Sequence, residues 1–121
     1  MIEESAQHLE RRINAWQKSA HFVTPQQNTF GSKTIHVSSL FDLEHETQAA
    51  LWKMVGEVRS RLDGDLQPDG FNIGLNDGEA AGQTVMHAHI HVIPRWNNDV
   101  PDPRGGVRWI IPDKARYWGD K

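Results

Sequence analysis

A chain of 121 residues, 37% apolar and 24% charged, with five Trp, four Phe and one Tyr, has the size and make-up of one globular domain and is excluded from the disordered class. Its net charge of -3 offers no basic footprint for nucleic acid, and the lack of cysteine excludes a disulfide framework, a thiolate metal site and a cysteine nucleophile. No apolar run nears the roughly 20 residues of a membrane helix, and the acidic start Met1-Ile2-Glu3-Glu4-Ser5 is unlike a signal peptide, so no membrane partner and a cytoplasmic location are expected.

The apolar residues Ile2, Ala6, Leu9, Ile13, Trp16 and Ala20 step alternately by four and three, which predicts an amphipathic helix over residues 2–20. The stripe is shorter than the three or four heptads a coiled coil needs, so packing on the domain's own core is the favoured reading. Residues 21–38 carry β-branched side chains in pieces broken by Pro25 and Gly31, an irregular arm or broken hairpin. Asp42 then offers an N-cap, and Leu43, Leu51, Met54, Val55, Val58 and Leu62 mark a long helix that Gly64 is expected to stop.

After the turn at Pro68-Asp69-Gly70, the stretch Phe71-Asn72-Ile73-Gly74-Leu75-Asn76 alternates as a half-buried strand does. The loop Asp77-Gly78-Glu79-Ala80-Ala81-Gly82 leads to a second strand starting at Val85, antiparallel to the first. Residues 96–106 read as loop, and Val107-Arg108-Trp109-Ile110-Ile111 as a short last strand before a polar tail. Arg95, Arg104 and Arg108 read as solvated surface.

Of the seven histidines, three recur at every second position, His87, His89 and His91. On a strand they share one face, while Met86, Ala88, Ile90 and Val92 share the other, apolar face, for which the long helix is the natural cover. Three imidazoles on a core face would each need a polar partner, so an outward, functional face is the stronger reading. One possibility is a metal site, since alternate strand histidines can supply two ligands. His87 and His91, however, stand about 14 Å apart along a straight strand, too far to share one ion directly. The other possibility is phosphorus chemistry. A neutral imidazole is a competent nucleophile near neutral pH, provided an acceptor such as a carbonyl holds the proton on its second nitrogen. Flanking imidazoles keep the central ring neutral, which singles out His89. Donors around the phosphoryl oxygens are then needed, and Gly82, Gln83, Thr84 and Asn76 are in the right neighbourhood.

The stretch His87-Ala88-His89-Ile90-His91-Val92-Ile93 resembles the signature of the histidine triad family, histidines alternating with apolar residues. The similarity extends through Asn72-Ile73-Gly74, Asn76-Asp77-Gly78, Ala81-Gly82-Gln83-Thr84-Val85 and Pro94-Arg95. The ending Asp102-Pro103-Arg104-Gly105-Gly106-Val107-Arg108-Trp109 is similar to bacterial members related to the fragile histidine triad branch. The resemblance covers residues from about His36 to Trp118. It implies one α+β domain, residues 1–121, with an antiparallel sheet of about five strands, or fewer here, packed on a long helix. In this chain the family core would span 39–121, preceded by the arm over 21–38 and the additional N-terminal amphipathic helix.

The same resemblance implies a homodimer and a nucleotide substrate, with no metal or other cofactor needed for chemistry. The expected activity is nucleotidyl hydrolysis or transfer at the α-phosphate of nucleoside phosphoramidates or dinucleoside polyphosphates. His89 would be the nucleophile, His87 would orient it and His91 would contact phosphate oxygens. Gln83, Thr84 and Asn76 would bind phosphate. The first third departs from the family pattern: Gln27 stands roughly where a fourth histidine is usual, and only Lys33 and His36 match the element that follows it. A nucleotide-binding module with weakened catalysis is therefore the alternative reading.

Overall fold

The structure, a computed structural model, describes residues 21–23 and 37–119. The helix expected over 2–20 and the rest of the arm, 24–36, lie outside the described residues. Within them, strand β1 (His21–Val23) is followed by a 3-10 turn at Leu40–Asp42 and the long helix α1 (His45–Leu66). Strands β2 (Gly70–Gly74) and β3 (Ile90–Arg95) come next, then a 3-10 helix at Gly106–Ile110 and a single turn of helix, α2 (Pro112–Ala115). Among the described residues no helix is long and apolar enough to cross a membrane.

The long helix sits close to where its stripe predicts, with both ends shifted. Asp42 does not cap it. The Ser39 hydroxyl accepts the Phe41 N–H and opens the 3-10 turn instead, and Gln48 reaches back from the first turn of α1 to the Leu43 carbonyl at 2.9 Å. Nor does Gly64 stop it. Leu66 continues the apolar stripe and packs against the core, and the chain leaves the helix at Gln67, which takes the left-handed conformation with φ 49°. Packing of one more apolar residue outweighs the local stop signal, since a glycine inside a helix costs only about 1 kcal/mol.

The sheet is antiparallel with order β1-β3-β2. The pairing Ile73 with Val92 and Gly74 with His91 joins β2 to β3, and Phe22 with His91 joins β1 to β3. Residues paired across strands share a face. Ile90, Val92 and Pro94 are buried with Ala88, and Ala88, Ile90 and Val92 cluster with Leu51, Val55 and Leu62 of α1. Each Leu, Ile or Val side chain buried in this way contributes roughly 1.5–3 kcal/mol. The helix therefore covers the apolar face of the histidine strand, as the alternation implies, and the opposite face carries His91, Ile93, Asn72 and Gly74.

Two expectations fail here. The ladder begins at Ile90, not at Val85, and Met86 is 55% exposed instead of sharing the core face. The in-and-out alternation nevertheless runs from His87 onward, because the Ala88 N–H is held by the Val37 carbonyl at 2.8 Å. The expected strand over 107–111 is the 3-10 helix. Gly105 and Gly106 adopt φ of 90° and 48°, a conformation open to glycine, and Pro112 sits in the first turn of α2, where a missing N–H costs nothing. Turn residues on both sides thus override the β-branched run between them.

Candidate active site

The geometry begins with His89. Its Nδ1 lies 2.7 Å from the His87 carbonyl oxygen. A carbonyl accepts only, so Nδ1 carries the proton and donates it, which leaves Nε2 with the lone pair. The acceptor foreseen for a nucleophilic imidazole is supplied by the backbone two residues upstream. The His91 ring stands edge-on to that of His89 at 4.9 Å between centroids. Burial, and then the proximity of His89, push the His91 pKa below its ordinary value, so His91 is neutral at neutral pH. The Nε2 atoms of His87 and His91 are shielded from solvent.

The predicted phosphate ligands divide. Asn76 lines the same groove as His91. Thr84 is exposed, on the approach to the triad. Gln83 is 4% exposed, and its amide is engaged inside the protein. Its Oε1 accepts the Gly78 N–H at 2.8 Å. Its Nε2 donates to the carbonyls of Ser38 at 2.8 Å and Val85 at 3.1 Å. Both amide hydrogens are thus occupied, and the side chain ties the loop at Gly78, the chain at Ser38 and the approach to the histidines into one knot. The Gly82 N–H, another foreseen donor, goes to the Glu79 carbonyl.

The sequence reading missed three features. Arg95 is not a loose surface cation: it makes two bonds to Asp99, at 2.6 and 2.7 Å, and a third to Asn72. Asp99 also accepts the Trp96 N–H, so the end of β3 and the loop after it are fixed. Spacing gave no signal for this pair, because residues four apart are neighbours on a helix, whereas Arg95 ends a strand. Second, Asn72 sits between Arg95 and Gly106, whose added Cβ would lie 3.3 Å from the Asn72 amide nitrogen. Third, Val107 and Ile110 of the C-terminal turn face the groove beside His91. Among the described residues, no group of three His, Asp or Glu side chains is placed to hold a metal ion.

Comparison with known proteins finds related sequences and structures. A bis(5'-adenosyl)-triphosphatase from Dictyostelium discoideum is 41% identical over 54 residues, 45% of this chain and 36% of that protein. An AP-4-A phosphorylase from Mycobacterium tuberculosis is 39% identical over 64 residues, 52% of this chain and 33% of that protein. The chain thus spans about a third of the length of these relatives. Among solved structures, a Zn-bound histidine triad family protein from Mycobacterium smegmatis matches with a TM-score of 0.50 and 39% identity, over 56% of this chain and 54% of that one. Residues 32–98, more than half of the chain and including the three alternating histidines, match the model of the HIT domain, and the chain belongs to the HIT domain family.

Proposed function

We propose that this protein is a nucleotidyl hydrolase or transferase in which His89 attacks the α-phosphate of a nucleoside phosphoramidate or a dinucleoside polyphosphate. The observation that carries this reading is the 2.7 Å bond from His89 Nδ1 to the His87 carbonyl, which fixes the tautomer the chemistry requires. The names of the relatives, a triphosphatase and a phosphorylase acting on adenosine nucleotides, support the substrate class.

In the first step the Nε2 lone pair bonds to the α-phosphorus. The bond from phosphorus to the leaving nitrogen or oxygen breaks, and that atom departs with the electron pair and takes a proton from solvent. The imidazole becomes positively charged, and the Nδ1–H bond to the His87 carbonyl becomes charge-assisted, which strengthens it as the charge develops. In the second step water attacks the phosphorus, the P–N bond returns its electrons to Nε2, a proton leaves to solvent, and a nucleoside monophosphate is released. His91, held neutral by burial and by His89, offers a phosphate oxygen an N–H without a competing full charge. Thr84 and Asn76 are further polar side chains for the phosphate. Gln83 acts through the backbone it braces.

The test is turnover of an adenosine phosphoramidate and a diadenosine polyphosphate, with and without chelator, by the wild type and His89→Ala. Mass mapping of the trapped nucleotidyl adduct goes with it. An adduct on His89, lost in the variant and indifferent to chelator, is expected; turnover that survives His89→Ala, or that chelator alone abolishes, refutes the mechanism. One observation favours the weaker alternative, a binding module: the Gln83 amide has no hydrogen left to donate to phosphate. Calorimetry showing nucleoside monophosphate binding without turnover of either substrate would support that reading.

A further inference from the structure

We propose that the trough between the histidine face of the sheet and the C-terminal turn is a subsite for the leaving arm of the substrate, with room for a flat heterocycle such as a nucleobase. The proposal rests on the reading of His89 as the nucleophile. The trough holds about 300 Å³, at the lower end of the range for small-molecule sites. Its floor is His91 and Ile93 of β3, its far wall is Val107 and Ile110, and the amides of Asn72 and Asn76 lie on the β2 side. Apolar surfaces with a few amides between them suit a planar ring with polar edges.

The wall is built to stand where it does. On a 3-10 helix, residues three apart lie on one face, so Val107 and Ile110 project together. They are 63% and 83% exposed, so both side chains stand clear of the core. The turn itself is pinned. The Trp109 Nε1–H bonds the Arg104 carbonyl at 2.6 Å, Arg108 bonds the carbonyls of Lys114 and Ala115, and Arg104 lies over the Trp118 ring at 4.7 Å. Gly105 fits against Ala115 and Trp118, and Gly106 against Asn72, with almost no space to spare.

The trough adjoins the reacting centre. His91 lines it, and the His91 ring is 4.9 Å from that of His89, so a group attached to a phosphate on His89 is one imidazole away from the trough. The high exposure of Ile110 leaves the trough open to solvent. An open trough suits the arm that departs after the first step, because it can leave while the nucleotidyl group stays on His89.

The experiment compares Val107→Ser/Ile110→Ser with the wild type on two substrates: a diadenosine polyphosphate, whose leaving arm carries a second base, and adenosine 5'-phosphoramidate, whose leaving group is ammonia. Losing two apolar contacts should lower kcat/KM for the dinucleotide about tenfold and leave the phosphoramidate within about twofold. An equal fall on both substrates, or no fall on either, overturns the subsite. Sedimentation of both proteins separates the other occupant: a change in mass in solution with an equal kinetic loss would mean that a second copy covers the trough, and would equally overturn it. The His89→Ala control reports on the nucleophile independently. If the wild type turns over neither substrate, that reading fails, and the trough is decided by calorimetry, where the double variant should bind the dinucleotide about tenfold more weakly with AMP affinity unchanged.

Discussion

Replacing Gln83 separates two roles that the sequence alone leaves merged. The side chain is 4% exposed and makes three hydrogen bonds, to Gly78, Ser38 and Val85. Each is worth about 0.5–1.5 kcal/mol net, and the groups deserted in Gln83→Ala are shielded enough to feel part of their desolvation penalty, so the loss should be about 2–4 kcal/mol. For a chain of 121 residues, an unfolding entropy of roughly 2.1 cal/mol/K per residue makes 1 kcal/mol equal to about 4 °C. The expected fall in Tm is then about 8–16 °C, measured by calorimetry or circular dichroism. Below the transition, kcat should fall because Val85 and the chain leading to His87 are no longer held in register, while KM changes less. A Gln83→Ala protein that melts within about 2 °C of the wild type, with its whole defect in KM, would show that the amide serves the substrate and refute the brace.

Three further outcomes are expected. Gly105→Ala places a Cβ 3.2 Å from the Ala115 carbonyl oxygen and the Trp118 ring at a φ of 90°, so it should cost about 1–3 kcal/mol, and an unchanged midpoint in urea would contradict the packing of the C-terminal turn. Leu51→Ala, at a fully buried position under the sheet, should cost about 2–5 kcal/mol in the same assay, and a smaller loss would contradict its place in the core. His91 has a folded pKa below 6.5, so its contribution is fully present above the unfolded value and is lost as pH falls toward the folded one. Urea midpoints should accordingly drop between about pH 7 and 5, and His91→Asn should flatten that slope; an equal slope in the variant would place the titration elsewhere.

What was legible in the sequence is what local periodicity encodes. The alternation of His87, His89 and His91 with Ala88, Ile90 and Val92 gave the face, the apolar stripe of α1 gave the cover, and Phe71–Gly74 gave the neighbouring strand, because all three depend on side-chain spacing alone. The misses depend on partners distant in the chain. A single glutamine in a glycine-rich loop has no periodicity, and one of the partners that enclose Gln83, Ser38, lies 45 residues away in the chain. The run from Val107 to Ile111 has the composition of a strand, but two glycines with positive φ and the closing bonds of Trp109 and Arg108 bend it into a turn. Gly64 failed as a stop signal because Leu66 had a core to join.

The same division explains how the histidines are held. His87 and His89 precede the ladder of β3, so strand pairing with β2 does not fix them. Their direction is set instead by Ala88, buried at 3% exposure and bonded through its N–H to Val37, by the grip of Gln83 on Val85, and by the short bond that His89 itself makes to the His87 carbonyl. The first of these contacts reaches back to Val37, and Gln83 also donates to the Ser38 carbonyl, both at the end of the part of the chain that departs most from the family pattern. Divergence there need not touch the triad to alter it, because a shift of the Val37–Ser38 backbone would move Ala88 and Gln83 together and turn the His89 ring with them. The orientation of the His89 ring is therefore coupled to the chain ahead of the 3-10 turn through two backbone carbonyls, those of Val37 and Ser38.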